Sequence, residues 1–178
     1  TENEQKTETS DSYIEFRNVG VKYTDGSTGV KNINFKVNKG DTIGIIGGTG
    51  SGKSTIVNLL PRLYDASEGT VFLDGKDVKS YSLKELRKKI GIALQRPAVF
   101  KGTIRSNVSP LGDLSEENIN AGIEKAQAAD VVKAKENGID SVLEQNGRNL
   151  SGGQRQRISV ARALAKRPEV LILDDSSS

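Results

Sequence analysis

Residues 42–55 read TIGIIGGTGSGKST, an apolar run that passes directly into glycines, a lysine and hydroxyls. The run 42–46 suits a short strand buried on both faces, and a helix is expected to follow through TIVNLLPRLY (55–64). Between them, Gly47 to Ser54 fits G-x-x-x-x-G-K-[ST] in the strand-before, helix-after setting that this pattern requires. Glycines let successive backbone N–H groups curl around phosphate oxygens, and the start of a helix adds a fixed positive dipole. Gly47, Gly48, Thr49, Gly50, Ser51, Gly52 and Thr55 are therefore assigned to a nucleotide's phosphates. Lys53 is expected to reach the β- and γ-phosphates, and the Ser54 hydroxyl to ligate Mg2+. The bland alternative is a glycine-rich turn ending in Lys-Ser by chance, and the flanking strand and helix make it a minor one.

The chain's last residues, VLILDDSSS (170–178), supply the complement: a third apolar strand that delivers Asp174 and Asp175 to its end. By itself the pair could be the polar end of any core strand. Beside a phosphate loop, Asp174 reads as the Walker B acid that holds Mg2+ directly or through water.

The remainder of the chain organises around these two motifs. Alternation from Tyr13 through Tyr23, resumed at Val30, Ile33, Phe35 and Val37, predicts antiparallel strands, and GTVFLDG (69–75) reads as a strand and hairpin turn. Ser82 and Glu85 form an S-x-x-E capping box at a helix start. IGIAL (90–94) predicts another buried strand, and residues 96–149 turn to helical spacing. The predicted helix over 151–166 has an apolar stripe of Ile158, Ala161, Leu164 and Ala165. Strands alternating with helices argue an α/β fold with a parallel core.

Composition narrows the chemistry. With 28% charged and 34% hydrophobic residues in 178, the chain reads as one globular domain with room for a sizeable core. There is no cysteine and no histidine, which excludes thiol chemistry, histidine metal sites and Ser-His catalysis within it. Net charge is +3, with −3 in residues 1–12 and +6 beyond, too mild a balance to argue for nucleic acid. Residues 1–12 are polar and aromatic-free and read as a disordered tail or linker. No methionine is present, a hint of a piece of something longer, and any membrane span is expected outside this sequence.

LSGGQRQR (150–157) decides the family. Together with the two Walker elements it resembles the nucleotide-binding domain of ATP-binding-cassette (ABC) proteins, whose signature is LSGGQ, and the likeness runs through 13–178 in order. The resemblance implies a P-loop NTPase core with a parallel sheet (13–95 and 167–178), an N-terminal antiparallel β subdomain, and a mainly helical signature subdomain over 96–166. It implies ATP and Mg2+ as cofactors. Ser151, Gly152, Gly153 and Gln154 would meet a nucleotide held by a second cassette paired head to tail. Tyr23 falls where the family's aromatic stacks on adenine, a contact worth about 1–3 kcal/mol per base; unaided, it reads as an ordinary strand aromatic. Gln95 matches the Q-loop glutamine, which touches Mg2+ and the attacking water; unaided, it is a strand-end polar residue.

RPAVFKGTIRSNV (96–108) and LEQNGRNLSGGQ (143–154) are similar to exporter segments, although this chain has EQNG where the family often has GERG. An exporter cassette implies partner transmembrane domains, a place at the cytoplasmic face of a membrane, and residues 1–12 as the linker to the membrane helices. A soluble ABC ATPase acting on nucleic acid or ribosomes is the alternative from another class, and the small net charge weighs against it. One departure matters most. The family places a glutamate after the Walker B aspartate as general base, and here it is Asp175. The shorter side chain withdraws the carboxylate by roughly 1.5 Å, whereas a general base needs roughly 2.6–3.2 Å to its proton. The expectation is a site that binds ATP well and cleaves it poorly. A non-hydrolysing ATP-binding subunit is the limiting form of that expectation. The family's D-loop and switch histidine have no counterpart up to Ser178.

Overall fold

Residues 10–23 and 25–174 are described in the computed structural model. The alternation after Tyr13 forms β1 (Ile14–Lys22), and its resumption forms β2 (Thr28–Val37), antiparallel to β1. Phe16 lies opposite Phe35, with ring centroids 4.4 Å apart. β3 (Glu68–Leu73) pairs with the other edge of β1, and β4 (Lys76–Asp77) closes the expected hairpin. The turn between them, Asp74-Gly75, has positive φ at both residues (52° and 75°), which a two-residue type I′ connection demands. The sheet order is β2-β1-β3-β4, and its buried face carries Val19, Val71 and Leu73. α1 (Lys53–Leu59) belongs to the same unit, which extends through Leu86. Ser82 and Glu85 make the expected capping box at α2 (Leu83–Lys88): the Glu85 N–H donates to Ser82 Oγ, and the Ser82 N–H to the Glu85 carboxylate.

The second unit starts at Arg87. β5 (Ile90–Ala93) and β8 (Val170–Leu173) run parallel and in register, from Ile90 opposite Val170 to Ala93 opposite Leu173. α3 (Ile104–Val108), α4 (Glu116–Lys125), α5 (Ala129–Lys133) and α6 (Gly152–Ala165) make up most of the unit, with a small ladder between β6 (Gly102–Thr103) and β7 (Val142–Leu143). Ile158, Ala161 and Ala165 of α6 are buried against Ile104, Val108, Ile123 and Leu143, so most of the expected stripe faces this core. Leu164 is only partly buried. Among the described residues no helix is long and apolar enough to cross a membrane.

Three expectations are corrected. Residues 42–46 are not a strand, and Ile43 and Ile46 are 51% and 98% exposed. A strand buried on both faces needs ladder partners at its edges, and among the described residues none pairs with this segment. β8 forms but is not fully buried: Leu171 and Leu173 are exposed, because β5 alone flanks it among the described strands. Residues 10–12, read as part of a free tail, are tied down. The Ser10 N–H donates to the Gly75 carbonyl, the Ser10 hydroxyl donates to the buried Glu15 carboxylate, and Ser12 is buried. The rest of that stretch, residues 1–9, lies outside the described residues.

Candidate functional site

The phosphate loop of the first unit is shaped by glycine and by one lysine. Gly50 and Gly52 have φ of 77° and 90°, and Gly52 caps α1 in the left-handed region. A Cβ at Gly52 would stand 2.4 Å from Val30 Cγ1, so both the space and the backbone there select glycine. The Ser51 N–H donates to the Gly48 carbonyl at 3.2 Å, closing a turn. Gly47, Gly48, Thr49, Gly50 and Ser51 are exposed. Lys53 folds back over the loop: its ammonium donates to the Gly47 carbonyl at 2.6 Å, the Gly48 carbonyl at 2.8 Å and Ser51 Oγ at 3.5 Å. Three donors on one ammonium thus meet three loop acceptors, a set an incoming phosphate can replace with its own oxygens. Ser54 is exposed on the first turn of α1.

Tyr23 belongs to the same neighbourhood. Its hydroxyl lies 2.6 Å from the hydroxyl of the buried Thr55, and its ring meets Tyr64 edge-on with centroids 6.4 Å apart. The fold therefore joins the aromatic expected to carry adenine to the helix expected to carry phosphates. Tyr64 had no motif to mark it in the sequence.

The second unit holds the other assigned residues. Gln95 follows β5 and Asp174 follows β8, and the Asp174 N–H donates to the Ala93 carbonyl at 2.9 Å. Both thus emerge at the carboxyl end of one parallel pair, the end of an α/β sheet where ligands bind. Asp175 lies outside the described residues. Ser151 caps α6 in a reciprocal capping box: its Oγ accepts from the Gln154 N–H at 3.2 Å, and Gln154 Oε1 accepts from the Ser151 N–H at 2.9 Å. Gln154's side chain is thereby committed to the cap. Gly152 and Gly153 are exposed, with N–H groups in the helix's first turn and no protein atom within 4 Å of a Cβ built at Gly153.

Two positioning arginines carried no motif role of their own. The Arg155 guanidinium donates to the Leu150 carbonyl at 2.9 Å and the Gly147 carbonyl at 3.4 Å, fixing the turn ahead of Ser151. Arg162, more than half buried, donates from Nε to the Asn107 carbonyl at 2.6 Å, and burial lowers its pKa from the ordinary value. The S-x-x-Q spacing at 151–154 was a readable cap signal; a buried asparagine such as Asn107 has no sequence signature.

A family profile described as ABC transporter matches residues 30–178. The chain is 41% identical over 168 residues to an ATP-dependent lipid A-core flippase of Hahella chejuensis (strain KCTC 2396), covering 93% of this chain and 29% of that protein. It is 46% identical over 167 residues to a probable multidrug resistance ABC transporter ATP-binding/permease protein of Bacillus subtilis (strain 168), covering 93% and 25%. Among solved structures, a bacterial Atm1-family ABC exporter with ATP bound superposes with a TM-score of 0.84 at 33% identity, covering 95% of this chain and 29% of that one. The chain thus spans less than a third of the length of these relatives.

Proposed function

This chain belongs to the ABC transporter family and has its P-loop ATPase fold, and we propose that it is the domain by which an ABC exporter binds and hydrolyses ATP. The observation that supports this reading most is the phosphate loop, where Gly52 turns the chain into α1 in the left-handed region and the Lys53 ammonium lies over the Gly47 and Gly48 carbonyls. Lys53 would exchange the Gly47 and Gly48 carbonyls for β- and γ-phosphate oxygens, and Tyr23 would carry the adenine. Mg2+ would be held by Ser54, Gln95 and Asp174, and it would neutralise charge as the terminal phosphate departs. The membrane helices that such a domain drives would lie outside these residues, and the domain would sit at the cytoplasmic face of a membrane.

The assembled protein would pair two such domains head to tail. Ser151, Gly152, Gly153 and Gln154 would then complete the nucleotide site of the partner domain. At this chain's own nucleotide, Asp175 stands where a glutamate base is expected, and a base misplaced by about 1 Å costs on the order of 10²-fold. We assign this chain the weak site of an unequal pair. Its intact LSGGQ would serve the stronger one.

Mutation separates the two roles in the full-length protein. Gly153→Asp sets a negative charge where the partner's γ-phosphate belongs, in open space that the fold tolerates. It should abolish most hydrolysis while nucleotide crosslinking to this chain's own phosphate loop persists. Asp175→Ala should leave most of the total rate, and Asp175→Glu should raise turnover at this chain's own site. An Asp175→Ala loss as severe as that of Gly153→Asp would give this chain a competent site and refute the unequal pair.

A further inference from the structure

Asn107 is 1% exposed, and its side-chain amide is fully engaged. Its Oδ1 accepts from the Phe100 N–H at 2.9 Å and from Arg162 Nη2 at 3.2 Å, while its Nδ2 donates to the Phe100 carbonyl at 2.9 Å and the Thr103 carbonyl at 3.0 Å. Arg162, on α6, holds the main chain of the same asparagine through Nε and lies over the Phe100 ring, 5.2 Å from its centroid. The Phe100 ring itself is 57% exposed. A second tie joins the same stretch to the start of α6: the Asn146 N–H donates to the Val99 carbonyl at 3.1 Å, and the adjoining Gly147 carbonyl accepts from Arg155.

The segment 99–103 is therefore fastened to the signature element at two places, near the first turn of α6 and again toward its end. Two attachments fix an orientation as well as a distance. Both depend on buried or partly buried hydrogen bonds, which are costly to leave unmade. We propose that Asn107 is a positioning residue that makes the exposed Phe100 face and the turn Ser151–Gly153 move as one body. A nucleotide engaged by that turn would then be felt at residues 99–103. This rests on the reading of Ser151–Gly153 as a nucleotide contact. A shared rigid frame supplies the physical connection such coupling needs.

The test is hydrogen exchange by mass spectrometry on the full-length protein, with and without MgATP, read at residues 47–55, 99–103 and 150–155. In the parent, MgATP should slow exchange at all three. Asn107→Asp keeps the acceptors toward Phe100 N–H and Arg162 but loses both donors. It should retain the slowing at 47–55 and 150–155 and lose it at 99–103. Steady-state ATP hydrolysis should keep its KM for ATP within about twofold of the parent, since 47–55 and 150–155 stay engaged. If Asn107→Asp does not fold, Arg162→Lys carries the same test, since it keeps the charge but not the paired Nε and Nη2 donors. Nucleotide-dependent slowing at 99–103 that survives in the variant overturns the proposal. So does faster exchange spread over α4 and α6 alike with and without nucleotide, the mark of a merely structural role. A parent that shows no slowing at 47–55 refutes the nucleotide site itself, and this inference with it.

Discussion

Lys53 and Tyr23 occupy one neighbourhood but should fail differently, because they address different parts of a nucleotide. Lys53 is the cation of the loop, bonded at present to the Gly47 and Gly48 carbonyls. Lys53→Ala leaves the phosphates without that cation, so MgATP binding should be nearly abolished. Binding at the parent's affinity would refute the loop assignment. Tyr23 contributes a ring, held by Thr55 and flanked by Tyr64. Adenine is common to ATP and ADP, so Tyr23→Ala should weaken both equally, by about 5- to 100-fold for a stack of this kind. Isothermal titration with the two nucleotides makes the comparison, and a loss confined to ATP would instead place Tyr23 at the γ-phosphate. What was legible at this scale was local geometry carried by spacing: the glycine turn into α1, the helix start at Ser151 and the place of Asp174 after β8. What was not legible was support. Asn107, Arg162 and Tyr64 matter through contacts made at 55 and 41 residues' separation in sequence, between Asn107 and Arg162 and between Tyr23 and Tyr64.

At the scale of elements, the strands of the antiparallel sheet and of the β5–β8 pair were legible, and the strand expected over 42–46 did not form. β1 and β2 pair as neighbours along the chain and β3 turns back on β4, while β3 also reaches β1 with Ile14 opposite Leu73; alternation sets the faces of these strands. Residues 42–46 were expected to form a strand from apolar character, but a parallel strand depends on partners that composition does not specify. The antiparallel sheet also carries a pH-dependent tie. Glu15 of β1 is buried, and its carboxyl is held below the ordinary value of 4.5 chiefly by hydrogen bonds from Arg17 and then from Ser10. A carboxylate with a depressed folded pKa adds stability above its unfolded pKa and loses it as pH falls through the folded value. Glu15→Gln should therefore lower the melting temperature at pH 7, and the difference from the parent should shrink as pH drops below 4.5. Thermal melts from pH 7 to about pH 3 would show it. A gap independent of pH would mean that Glu15 contributes packing and not charge.

For the whole molecule, exposed apolar surface is the feature with a consequence in solution. Ile43 and Ile46 on the segment before the phosphate loop, and Leu171 and Leu173 on β8, are all exposed. Among the described residues β8 pairs with β5 alone. An unpaired edge that carries exposed leucines is a template for pairing with another chain, and exposed isoleucines are a second adhesive surface. The 178-residue chain on its own should therefore self-associate as concentration rises, even though its net charge is +3. Sedimentation velocity across a hundredfold concentration series would detect this as a rising mean sedimentation coefficient. Ile46→Asp tests the cause, because Ile46 is 98% exposed and contributes little to either core. The variant should shift association to higher concentration without lowering the melting temperature. A variant that instead unfolds would mean that 42–46 is buried in solution, as the apolar pattern of the sequence first suggested. A parent that stays monomeric throughout would mean that these side chains are covered within the chain itself.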